Sequence, residues 1–65
     1  MRILIVEDER PTAEDIKFLV EEILQKEITS IHIEVTLDSA LIYLKEKPID
    51  VLLLDLNLNS KDGFQ

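Results

Sequence analysis

The chain has 65 residues, 46% of them apolar, with no cysteine, one glycine and a formal charge of −7 from 14 acidic and 7 basic side chains. That bounds it to one small domain without a disulfide or zinc–thiolate staple, so self-association is the remaining common support. The acidic balance argues against nucleic acid as a partner, the apolar content against disorder, and the absence of any long apolar run against a membrane span or signal peptide, which makes the cytoplasm the expected location.

The first predicted element is a strand over about Arg2 to Val6, whose Ile-Leu-Ile-Val run suits a strand buried on both faces. It ends in Glu7-Asp8. Pro11 fits the first turn of a helix, where a missing N–H costs nothing. Ala13, Ile16, Val20, Ile23 and Leu24 follow at helical spacing with Leu19 beside them, and Glu22–Lys26 is a favourably ordered i,i+4 pair. Phe18 lies off this stripe and is expected to pack against another neighbour.

Ile31, Ile33 and Val35 alternate with His32 and Glu34, the pattern of a half-exposed edge strand. On that pattern His32 is a solvated surface residue, and Tyr43 a packing residue. Thr36 can cap a second helix carrying Ala40, Leu41 and Leu44, which Pro48 closes near Lys47. A third strand, Val51 to Leu54, shows no polar alternation and runs into Asp55. Asp62-Gly63 is a turn signal. The order is βαβαβ, an α/β class chain forming half of a doubly wound parallel sheet.

In open parallel sheets, ligands bind beyond the carboxyl ends of the strands. If the first and third strands are neighbours, Glu7, Asp8 and Asp55 converge there. Three close carboxylates repel one another unless a cation intervenes, and an oxygen-only set suits Mg²⁺. A carboxylate beside such an ion and a phosphate donor is the arrangement for an aspartyl-phosphate nucleophile. The single glycine excludes a P-loop, and Asn57 stands where a haloacid-dehalogenase motif requires a second Asp.

Ile3-Leu4-Ile5-Val6-Glu7-Asp8-Glu9, then Leu53-Leu54-Asp55-Leu56-Asn57-Leu58 and Asp62-Gly63, resembles the receiver domain of two-component response regulators. The resemblance runs over residues 1–65 and corresponds to the first three strands and two helices of a flavodoxin-like, receiver-type sheet. It implies that Asp55 is the phosphoacceptor and Asp8 a direct Mg²⁺ ligand. Glu7 would hold a metal-bound water, and Asn57 would give its backbone carbonyl to the ion. It further implies a histidine kinase as phosphodonor in a phosphorelay. Asn59 departs from the proline common at that position. The Ser or Thr and the Lys that receivers carry after later strands have no counterpart, so the expectation is a truncated receiver with impaired phosphotransfer.

Without a fourth strand, the third would present an open apolar edge, and a two-fold homodimer through that edge is expected. The rival expectation is a self-associating, non-phosphorylatable scaffold module derived from a receiver.

Overall fold

The computed structural model describes residues 1–55, and the positions of Asn57, Asn59 and Asp62-Gly63 lie outside them. Strand β1 (Arg2–Glu7) leads to helix α1 (Arg10–Leu24) and a 3₁₀ turn (Gln25–Glu27). Strand β2 (Ser30–Glu34), helix α2 (Leu37–Glu46) and strand β3 (Val51–Asp55) follow. The three strands form one parallel sheet in the order β2-β1-β3. It is a small α/β fold with two helices, and none of its helices is long and apolar enough to cross a membrane among the described residues.

β1 lies between two hydrogen-bonded neighbours, which explains its unbroken apolar run: Ile3, Leu4, Ile5 and Val6 are all 0–1% exposed. Alternation sends Leu4 and Val6 to one face, where they pack with Ala40 and Tyr43 of α2 and with Ile49. Ile3 and Ile5 point to the other face, where α1 contacts β1 and buries Ala13. β1→β2 and β2→β3 cross the sheet in opposite directions, and crossovers of one hand put their helices on opposite faces.

Pro11 sits in the first turn of α1 as expected. The helix buries a narrower face than its apolar stripe. Ile16, Val20 and Leu24 join Ala13 inward, whereas Leu19 and Ile23 are exposed, as is Phe18. The three strands among the described residues leave the flank of its stripe uncovered. Glu22–Lys26 does not form, because α1 ends at Leu24 and Lys26 lies in the 3₁₀ turn; Arg10–Glu14, 3.8 Å apart, is the i,i+4 pair instead. The turn is entered through Gln25, whose φ of 42° lies in the left-handed region.

Thr36 caps α2 as its sequence position indicates, accepting the Ser39 N–H at 3.1 Å, and the helix stops before Pro48. At the amino ends of the strands, the chain is tied laterally. Thr29 N–H donates to the Met1 carbonyl at 2.7 Å, and Asp50 N–H to the Arg2 carbonyl at 2.8 Å. Asp50 Oδ2 in return accepts the Arg2 N–H at 2.7 Å.

A candidate acidic site at the carboxyl ends of the strands

Both Glu7 and Asp55 are the last residues of their strands, within the sheet and not beyond it. Parallel register sets them directly side by side. By alternation they share the α1 face with Ile3, Ile5, Val51 and Leu53. Asp8 follows in the short link to α1 and is half-buried, as is Asp55, while Glu7 is completely buried.

Ionised carboxylates are acceptors only, so what surrounds Glu7 decides its state. Its Oε2 accepts the backbone N–H of Glu9 at 3.1 Å. Its other neighbours are the carboxyls of Asp8 and Asp55. Burial foremost raises the Glu7 pKa above the ordinary 4.5, and the neighbouring carboxyls of Asp8 and Asp55 add to the rise. The Glu9 amide alone opposes them. Glu7 Oε1 and Asp8 Oδ1 are buried with no donor among the described residues. Two carboxyls can pair only by sharing a proton; once ionised, these oxygens call for a hydrogen-bond donor or a cation. The donor chemistry therefore fits a hard divalent ion such as Mg²⁺.

Among the described residues no three His, Cys, Asp or Glu groups form a ready-made metal cage, and no concave pocket opens beside them. Simple capping does not account for Glu7. The N-cap of α1 is Glu9, which makes no side-chain cap bond, and the Glu7 carboxyl serves the Glu9 amide outside the helix.

A second polar group was not legible in the sequence. His32 and Glu34 occupy the non-apolar positions of β2, and that side of the strand faces α2 instead of open solvent. The His32 ring lies flat on Tyr43, with centroids 4.0 Å apart and planes 4° from parallel, and its Nε2 meets Glu34 Oε2 at 2.5 Å. His32 is half-buried, not a freely solvated histidine. Only the i,i+2 spacing of His32 and Glu34 on a strand hinted at the pair; the Tyr43 contact is tertiary.

Set against known protein families, curated proteins and solved structures, the chain matches none.

Proposed function

We propose that this chain is a receiver-type module that accepts a phosphoryl group on Asp55 from a histidine kinase in a phosphorelay. One observation carries the reading: Glu7 and Asp55 end adjacent parallel strands in register, beside buried oxygens of Glu7 and Asp8 that lack a donor among the described residues. The order β2-β1-β3, with helices on both faces, is compatible with half of a doubly wound, flavodoxin-like sheet.

In this reading an Asp55 carboxylate oxygen forms a bond to phosphorus. The P–N bond of the donor phosphohistidine breaks, and the departing imidazole takes up a proton. Glu7, Asp8 and the backbone carbonyl of Asn57 would hold Mg²⁺, which when bound supplies positive charge opposite the phosphoryl oxygens. Glu7, buried on the α1 face, would form the inner wall of the site, and Asp55 is only half-buried beside it.

Incubation with acetyl phosphate and Mg²⁺, followed by intact mass, tests it. The expected result is a phosphoryl mass increase that requires Mg²⁺ and is lost in Asp55→Ala. No adduct at any Mg²⁺ concentration, or an undiminished adduct in Asp55→Ala, overturns it.

A second reading has its own support. Leu52 and Leu54 are 44% and 53% exposed on the α2 face of β3, and the outer edge of β3 pairs with no strand among the described residues. A homodimer joined at that edge, acting as a scaffold without phosphotransfer, would cover both. Light scattering at micromolar concentration should then give twice the chain mass, falling to the monomer in Leu54→Lys.

A further inference from the structure

A helix lying on a sheet is expected to keep its outer side polar. α2 does not. Ala40 and Tyr43 turn inward, onto Leu4 and Val6 and onto the His32 ring. Leu37, Leu41, Ile42 and Leu44 are nevertheless all exposed, so α2 is apolar nearly all the way round. That is the pattern of a helix covered on both sides, and the described residues cover only one.

Helical spacing fixes what the outer side carries. At about 100° per residue, Asp38, Leu41, Ile42 and Lys45 fall together on the side opposite Ala40 and Tyr43. All four are exposed, Leu41 by 50% and Ile42 by 59%. In chain order this stripe reads acid, apolar, apolar, base. Turned end for end it reads base, apolar, apolar, acid, which is its own complement. A two-fold axis between Leu41 and Ile42 sets Leu41 against the partner's Ile42 and Asp38 against the partner's Lys45, each contact made twice. Asp38 in the first turn and Lys45 in the last also suit the dipole of their own helix. The dipole gives no reason for the two apolar residues exposed between them.

We propose that α2 is a self-association surface and that its partner is the α2 of a second copy, packed antiparallel along this stripe. Charge selects the face. A chain of net charge −7 repels its own copies, and they meet best where the local charge cancels. α2 and its C-cap Lys47 do cancel, with Asp38 and Glu46 against Lys45 and Lys47. α1 also exposes apolar side chains, Phe18, Leu19 and Ile23, but it carries four acids against two bases. The only charges in its last two turns are Glu21 and Glu22, so a copy meeting it there is repelled. Pairing through α2 uses neither the edge of β3 nor the α1 face that holds Glu7 and Asp55. The acidic site stays open in such a dimer, and the pairing stands or falls apart from phosphoryl acceptance.

Sedimentation equilibrium of the full chain, from micromolar to millimolar concentration at low salt, decides the matter. The wild-type chain should dimerise, and Leu41→Glu should remain a monomer. Asp38→Lys sets like charges against each other twice and should weaken the dimer about ten-fold, as should Lys45→Asp. Combining Asp38→Lys with Lys45→Asp re-creates the pairs with their signs exchanged and should restore it. A wild-type monomer throughout the range overturns the proposal. So does a dimer that Leu41→Glu and Asp38→Lys leave intact, or a double variant as weak as the single ones. Leu54→Lys lies outside the pairing and should leave the dimer whole; its loss there assigns association to the edge of β3 and overturns the α2 pairing. Circular dichroism checks that each variant folds, and if Leu41→Glu does not, the charge exchange decides alone.

Discussion

β1 and β3 read almost alike, four apolar residues running into a carboxylate, yet they occupy opposite kinds of position. β1 is central and sealed, with Ile3 to Glu7 all buried; β3 lies at the edge of the described sheet, with alternate leucines exposed. Paired in register, they carry carboxylates in different states: Glu7 is buried and pushed toward protonation, while Asp55 is half open. An identical sequence pattern thus gives one strand that makes the core and one that ends in a half-exposed carboxylate. Neighbours on both sides decide which is which, and those are tertiary facts.

The sharpest way to break this comparison is to remove the same kind of volume from each strand. Ile5→Ala should cost about 2–5 kcal/mol, enough to leave so small a fold largely unfolded, because its site is enclosed on every side. Leu54→Ala, half-exposed already, should cost under about 1 kcal/mol. Urea unfolding followed by circular dichroism compares them, and equal costs would erase the distinction between a central and an edge strand.

Next in size is the carboxylate pair. Glu7 has a raised folded pKa, so the native state holds its proton more tightly than the unfolded chain. Stability from Glu7 is full below 4.5 and declines as pH rises through the folded value. Glu7→Gln should flatten that decline and, in metal-free buffer at pH 7, stabilise the fold by about 1–3 kcal/mol, the cost of an unsatisfied buried group. Asp55→Asn should give a smaller gain in the same direction by removing the repelling charge. A melting temperature of Glu7→Gln that tracks the wild type from pH 4 to 8 would show that Glu7 carries no such burden.

The smallest effects come from the backbone. Gln25→Gly should raise stability by about 1 kcal/mol, since a left-handed residue with a Cβ is disfavoured by roughly that amount. Asp50, held below its ordinary pKa by the Arg2 amide and then its side chain, has the opposite sign to Glu7. Its contribution is present above 3.8 and lost as pH falls. Asp50→Asn should therefore remove a slight acid sensitivity, visible in melting curves between pH 2 and 5.

Local punctuation was readable from residues alone. Pro11, the Thr36 cap and the Pro48 stop each act through their own backbone, so their positions carried into the fold. The convergence of Glu7 and Asp55 was readable as well, given that two apolar runs in a βαβαβ chain are neighbours. Burial of individual faces was not. Leu19 and Ile23 lie on an apolar stripe that the described strands do not cover. His32 looked solvated because alternation names two faces of a strand without saying that a helix lies on the polar one. Complete burial of Glu7 ran against the usual exposure of charged residues, and only its place at the end of the central strand produces it.

The lateral ties at the amino ends of the strands give the sheet a fulcrum. Arg2 and Asp50 tie the amino ends of β1 and β3 through one backbone bond and one bond from the Arg2 amide to the Asp50 carboxylate, so splaying that starts at the carboxyl ends of the ladder turns about this end. From Asp50 to Asp55 the strand is a lever about 16 Å long, on which some 4° of fanning moves the tip by about 1 Å. A magnesium ion accepts ligand distances within a far narrower range than that. If the carboxylates hold Mg²⁺ as proposed, a tie at the far end of the same two strands, between residues that are not its ligands, would help to set their spacing.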